Sequence, residues 1–346
     1  VCTVKKLLNT LYISSQGAYV HKEGETVVVE REQKKVLQLP IHTLSSIVCF
    51  GNVLCSPFLL GFCAERDVSV AYLTEHGRFL ASVRGPVSGN VLLRRQQYRL
   101  ADDLTSSRNI AAHIITGKLA NTRVVLSRAV RDHAERLDSQ RIKLASTAID
   151  RLMDNLPNAA DLDSVRGLEG MAAAEYFAVF NELILDQSAD FSFRERNRRP
   201  PLDNVNALLS FVYTLVTHDI RSALESVGLD PAVGFLHRDR PGRPSLALDM
   251  VEEFRSVIAD RLVLSLINRK QVTKTGFNKA ANGAVTMDDT TRKTILTEYQ
   301  TRKQDTVFHP YIEETIPVGL LYFVQANLMA RFIRGDIDGY PPFFWR

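Results

Sequence analysis

Gly85-Pro86-Val87-Ser88-Gly89-Asn90 separates two stretches of this 346-residue chain that follow different periods. Glycine, proline, serine and asparagine in close succession favour turns over helix or strand, so the segment reads as a boundary. Upstream of it, apolar residues come in short, mostly alternating runs: Leu7 to Ile13, Thr26-Val27-Val28-Val29-Glu30 and Lys35-Val36-Leu37-Gln38-Leu39. Val68 to Leu73 and Phe79 to Val83 bracket a hairpin through Glu75-His76-Gly77, and only Ser56 to Arg66 has a helical look. This half predicts an antiparallel β-sandwich over residues 1–85. Downstream of a linker at 86–91 the period becomes 3.6, with helices expected at Leu92–Leu104, Ser106–Ala134, Asp138–Asn155, Ser164–Leu185, Leu202–Val227, Ser245–Ile267, Thr290–Gln300 and Val318–Ile333. The expected fold is therefore α+β with two domains, a β-sandwich followed by an all-α domain over 92–346.

Composition narrows the function classes without choosing among them. With 45% apolar and 24% charged residues, the chain has the make-up of an ordinary globular protein. Its longest apolar stretches, Val53 to Cys63 and Val318 to Met329, fall short of the roughly 18–20 residues a membrane span needs, so no membrane is expected. Val1-Cys2-Thr3-Val4-Lys5-Lys6 has no signal-peptide pattern, and a cytoplasmic protein is the expectation. Cys2, Cys49, Cys55 and Cys63 form no C-x-x-C pair and have no histidine at zinc-finger spacing, which favours plain thiols. A net charge of +4 permits a polyanionic partner without requiring one.

Three places in the helical half carry acids or imidazole where an apolar helix has no need of them. Glu175 stands among small and aromatic residues. His237 lies in a loop followed by Arg238, Arg240 and Arg243. Asp249 and Glu252, three apart on the helix opened by Ser245, share one face. Each has a plainer account alone: an arginine partner for Glu175, a structural role for His237, the helix dipole for the two acids. Together, one imidazole and several carboxylates form the nitrogen-and-oxygen donor set that suits Mg²⁺ or Mn²⁺. Arg194, Arg198 and Arg199, with Arg240, Arg243, Arg269 and Lys270, add positive charge around them in sequence and are candidate DNA contacts. Solvated surface is the plainer reading of such runs.

Several blocks in fixed order sharpen this picture. They are Lys5-Lys6-Leu7-Leu8-Asn9-Thr10-Leu11-Tyr12, Arg94-Arg95-Gln96-Gln97-Tyr98, Gly167-x-Glu169-Gly170-x-x-Ala173-x-x-Tyr176-Phe177, and Asn197-Arg198-Arg199-Pro200-Pro201 followed by Val205 to Tyr213. Gly234-Phe235-Leu236-His237 and Arg243-Pro244-Ser245-Leu246-Ala247-Leu248-Asp249-x-x-Glu252 complete the series. Taken together the chain resembles the CRISPR-associated adaptation integrases, the Cas1 family, and in particular its type I-C branch. The resemblance implies Glu175, His237 and Glu252 as metal ligands, with Asp249 as an accessory catalytic carboxylate. It implies Mg²⁺ or Mn²⁺ as cofactor, a homodimer, and a heterohexamer of two such dimers with one dimer of the Cas2 protein. The implied reaction joins the 3′-hydroxyl ends of a protospacer to a CRISPR repeat by transesterification, on double-stranded and branched DNA. Many relatives have Asp at the third ligand where this chain has the longer Glu252. A structure-selective nuclease in repair and a non-catalytic DNA-binding scaffold are the alternative readings.

Overall fold

The computed structural model describes residues 10–44, 46–66, 68–74, 79–83, 85, 91–185 and 189–345. The expected first strand before Thr10, the hairpin tip at Glu75-His76-Gly77, Cys2 and the segment 86–90 lie outside the described residues. Two units emerge, Val1–Gly89 and Asn90–Arg346.

The first unit runs β1 (Thr10–Ile13), β2 (Ala18–Glu23), β3 (Thr26–Arg31), β4 (Lys34–Pro40), β5 (Ser46–Phe50), β6 (Val53–Cys55), α1 (Pro57–Ala64), β7 (Ser69–Leu73) and β8 (Phe79–Val83). These make two four-stranded sheets, ordered β1-β5-β7-β8 and β4-β3-β2-β6. Val20, Val27 and Val53 from one sheet meet Ile13, Ile47 and Val70 from the other, and Leu59 and Phe62 of α1 join the same core. Helix α1 begins where Ser56 accepts the Leu59 N–H at 3.1 Å, with Pro57 preset for a first helical turn. The antiparallel expectation needs correcting: β1–β5, β5–β7 and β2–β6 pair in parallel. The chain leaves one sheet after β1, builds β2 to β4 in the other, and returns at β5, so β1–β5, β5–β7 and β2–β6 are neighbours in a sheet without being neighbours in sequence. Cys49, Cys55 and Cys63 are free thiols.

In the second unit α2 (Val91–Asp102), α3 (Leu104–His133), α4 (Ser139–Asn155), α5 (Leu162–Val179), α6 (Asn204–Ser226), α7 (Ser245–Phe254), α8 (Arg261–Asn268), α9 (Asp289–Gln304) and α10 (Val318–Arg334) form the bulk. Aspartates start many of them: Asp103, Asp138, Asp161, Asp203 and Asp288 each accept the N–H three residues on, a cap worth about 1 kcal/mol. Ser245 was expected to cap α7, but the residue before the helix is Pro244 with no side-chain cap. The Leu246 and Ala247 N–H groups donate instead to the Pro231 carbonyl, and that of Ser245 to the Arg243 carbonyl. Helix α7 is buried nearly all round, between α3 and α6, and so is central in the bundle. Between α7 and α8 the chain takes a π-helical turn at Arg255–Asp260, where one continuous helix was expected. The unit is not all-α: β9 (Phe277–Lys279) pairs with β10 (Val285–Met287), and β11 (Thr306–His309) with β12 (Glu314–Pro317). The first hairpin closes through Asn282-Gly283, with Gly283 at φ 81°, a turn signal embedded in a helix-rich stretch. The aromatic tail docks on this unit, burying Tyr340 and Phe343, and the Trp345 N–H donates to Asn121 of α3 at 2.7 Å.

Candidate functional site

Asp249 of α7 organises the loop that carries His237. Its Oδ2 accepts the N–H of Phe235 at 2.6 Å and of Leu236 at 2.9 Å. Oδ1 accepts the His237 N–H at 3.0 Å and meets the imidazole Nδ1 at 2.6 Å. The loop fits this closely only because residue 234 is glycine: an added Cβ would stand 2.7 Å from both Asp249 Oδ2 and the Ser245 carbonyl carbon. Arg166 of α5 closes the loop from the other side, donating twice to the Leu236 carbonyl, at 2.7 and 2.5 Å. A carboxylate facing Nδ1 fixes the proton there, which leaves the Nε2 lone pair as the ring's available donor atom. Asp249 was expected as an accessory carboxylate near a metal. Asp249 is 0% exposed, and both of its oxygens are engaged by the loop.

Two further acids face each other across an ammonium group. Lys118 of α3, Glu169 of α5 and Glu252 of α7 come together because α3 packs against both other helices. Lys118 Nζ lies 2.7 Å from Glu252 and is also hydrogen-bonded to Glu169. Arg255, at the start of the π-helical turn, holds Glu252 from behind at 3.0 Å and stacks on Tyr213. Burial alone would raise the Glu252 carboxyl, but Arg255 and then Lys118 hold it down at about 2. Deeper in the same turn Asp260 accepts from the hydroxyls of Tyr213 at 2.6 Å and Tyr176 at 3.1 Å, and burial pushes it up to about 6.

Glu169, His237 and Glu252 line one cavity of about 420 Å³. Asp163, Arg166, Arg238, Arg240 and Arg243 complete its wall. Asp163 is paired with Arg166 at 2.6 Å and Arg238 at 3.2 Å, so it neutralises part of that charge. Arg243 is the most pressed of these cations: partial burial, then Arg240, Arg199 and Arg166, lower its guanidinium below the ordinary arginine range. The expected DNA contacts thus divide. Arg240 and Arg243 face the cavity and Arg199 adds its charge beside them. Arg194, Arg198, Arg269 and Lys270 are exposed and take no part in its lining.

Glu175 does not join His237 and Glu252. It is exposed and six residues beyond Glu169 on α5, which turns it about 120° away around the helix. The face that meets the cavity is the Asp163, Arg166 and Glu169 row, spaced i, i+3. Glu169 was quoted in the Gly167-x-Glu169-Gly170 block without being assigned a role, and its spacing from Asp163 and Arg166 was the available signal. Lys118 was missed as well; its sign is a lone cation in Ile114-Ile115-Thr116-Gly117-Lys118-Leu119. Tyr176 is buried in packing and bonded to Asp260. Among the described residues no three His, Cys, Asp or Glu side chains already stand at metal-binding geometry. A cation nevertheless occupies the space between the two acids, in the form of the Lys118 ammonium, and the carboxylate oxygens there, with the imidazole on the same cavity, are the donor types that suit a hard divalent ion.

Comparison with known proteins decides the family. A family described as "CRISPR associated protein Cas1" matches residues 11–301, which include every residue of the cavity. "CRISPR-associated endonuclease Cas1 1" of Chlorobaculum tepidum is 56% identical over 99% of this chain and 100% of its own length. The chain belongs to the Cas1 family. It is an enzyme that acts on DNA, an endonuclease of CRISPR spacer integration. Two solved structures share the fold. A casposase bound to integration product has TM-score 0.83 at 21% identity, covering 98% of this chain and 94% of that one. A Cas6-RT-Cas1–Cas2 complex contains a chain with TM-score 0.81 at 20% identity, covering 97% of this chain and 36% of that one. No helix among the described residues is long and apolar enough to cross a membrane.

Proposed function

We propose that Glu169, His237 and Glu252 hold one Mg²⁺ or Mn²⁺ ion and that the chain joins a DNA 3′-hydroxyl to a phosphodiester of the CRISPR repeat by transesterification, hydrolysing DNA at the same site. The reading rests on one observation: two carboxylates and an imidazole whose Nδ1 is held by Asp249, from three separate elements, open on a single arginine-walled cavity. Bound there, such an ion supplies Lewis acidity to the phosphoryl oxygens and lowers the pKa of an attacking hydroxyl. Asp249 keeps the His237 proton on Nδ1 and the ring in one orientation. Arg240 and Arg243 donate to non-bridging phosphate oxygens, fixing the phosphodiester against the acids. Arg255 keeps Glu252 ionised in a buried place.

The expected setting is that of the type I-C branch: a homodimer in the prokaryotic cytoplasm, two dimers flanking a Cas2 dimer, acting on double-stranded and branched DNA. The test is Mn²⁺-dependent strand transfer on branched DNA. Glu169→Ala, His237→Ala and Glu252→Ala should each lower it by about 10²–10³-fold or more, while Glu175→Ala leaves it unchanged. Full activity in any of the first three removes that residue from the site. Addition of Cas2 and a repeat-bearing plasmid should raise integration; no response would point to a nuclease with a different partner.

A further inference from the structure

Resting on that metal reading, we infer that Lys118 is an internal counter-cation which a divalent ion must displace, and that its displacement makes metal and DNA bind cooperatively. The Lys118 side chain is 8% exposed and its ammonium bridges Glu169 and Glu252. It therefore fills the space the ion would need and offsets the charge of both carboxylates before an ion arrives. Two cations cannot share that space at full strength, because each would face the other's charge in a poorly hydrated setting. Entry of the ion turns the ammonium out toward the cavity.

No acid waits for it there. Asp163, the one remaining carboxylate of the cavity wall, is already paired with Arg166 and Arg238. Arg240 and Arg243 repel a further cation. An ammonium driven off its carboxylates into this surrounding is stabilised by an anion from outside, and a DNA phosphodiester entering the cavity provides one. Binding of DNA should then favour the metal-loaded arrangement, and by linkage the metal should tighten DNA binding by the same factor. Lys118 is thus a positioning residue: in the free protein it raises the metal concentration needed, and with DNA present it releases that restraint.

The experiment is calorimetric titration of Mn²⁺ into the free full-length protein and into its complex with branched DNA carrying dideoxy ends. Lys118→Met, which keeps the aliphatic stem and removes the charge, should bind Mn²⁺ about tenfold tighter than the unaltered free protein. The further gain that DNA brings should shrink at the same time. Lys118→Gln, which keeps a donor for one carboxylate, serves if Lys118→Met does not fold, and the same tightening is expected. Were Lys118 only a structural ion pair, its loss would weaken or leave untouched the uptake of metal. Mn²⁺ binding by the unaltered chain with no tightening in the folded variant overturns the Lys118 inference alone. Failure of the unaltered chain to take up Mn²⁺ overturns the metal reading along with it.

Discussion

Asp249 and Glu252 stand one turn apart on α7, at 0 and 4% exposure, and their partners are of opposite kinds. Asp249 is bonded to three backbone N–H groups and one imidazole of a loop closed over it. Glu252 faces Lys118 and Arg255, two cations on long side chains. Backbone donors are fixed by the fold and hold the first acid permanently, whereas flexible cations can give way to another charge. The same helix therefore presents one acid held by backbone and one held by exchangeable cations, and the proposed metal site uses the second. Asp249→Asn should show the first half of that contrast: an amide nitrogen turned on N–H donors should lower unfolding stability in urea by about 3 kcal/mol. It should also reduce Mn²⁺ affinity about 10–100-fold, since His237 loses its orienting partner. Unchanged stability would mean that the loop holds itself.

Gly234→Ala presses the same point without touching a charged group. A methyl within 2.7 Å of Asp249 Oδ2 forces loop and helix apart, with an expected loss of about 1–3 kcal/mol. Weaker Mn²⁺ binding should accompany it in calorimetry, because the imidazole moves with the loop. A folded variant with full affinity would show that His237 is positioned by something other than the Asp249 cradle.

Much of this arrangement was legible in the sequence, and the misses have physical causes. His237, Asp249 and Glu252 stand out because a loop imidazole and acids one turn apart suit one site; His237 and Glu252 line one cavity, and Asp249 lies behind it, bonded to His237. Glu175 lies off the cavity, and small and aromatic neighbours in sequence say little about which helical face is covered; Asp163 and Arg166 mark the cavity side of α5, and Glu169 lies on their row. Lys118 depends on the packing of α3 against α5 and α7, which no local pattern records. In the β half, β3, β4, β7 and β8 followed from alternation and turns. Strand β5, Ser46 to Phe50, is buried throughout and so lacks alternation, and its parallel neighbours arise from crossings between sheets.

Asp260 offers a second contrast with Asp249, since its carboxylate meets two tyrosine hydroxyls and no backbone N–H among the described residues. Burial raises it to about 6 from the ordinary 3.8. An acid raised in the folded state gives stability that is whole below its unfolded pKa and is lost as pH rises through the folded value. The Asp260 contribution to unfolding free energy should accordingly decline between about pH 4 and pH 6, and Asp260→Asn should remove that component from the pH profile. Glu253, pushed by burial to about 7, should leave a residual slope of the same sign. A variant with the slope of the unaltered protein would place the proton elsewhere.

The smallest expected effect divides the basic residues. Arg240 and Arg243 line the cavity, and Arg243 is partly buried and also crowded by like charge that a phosphate would offset. Arg269 and Lys270 are exposed just beyond α8, away from that wall. If phosphate is drawn to the cavity, each neutralised contact releases a counterion on binding and contributes about 0.9 to the slope of log affinity against log salt. Arg240→Glu with Arg243→Glu should lower that slope by about 1–2 and weaken branched-DNA binding at low salt, whereas Arg269→Glu with Lys270→Glu should leave both unchanged. Fluorescence anisotropy across a salt series measures the two pairs side by side. Equal losses would mean that DNA spreads over the whole basic surface and that crowding at Arg243 says nothing about its path; the reverse order would place the duplex at the end of α8.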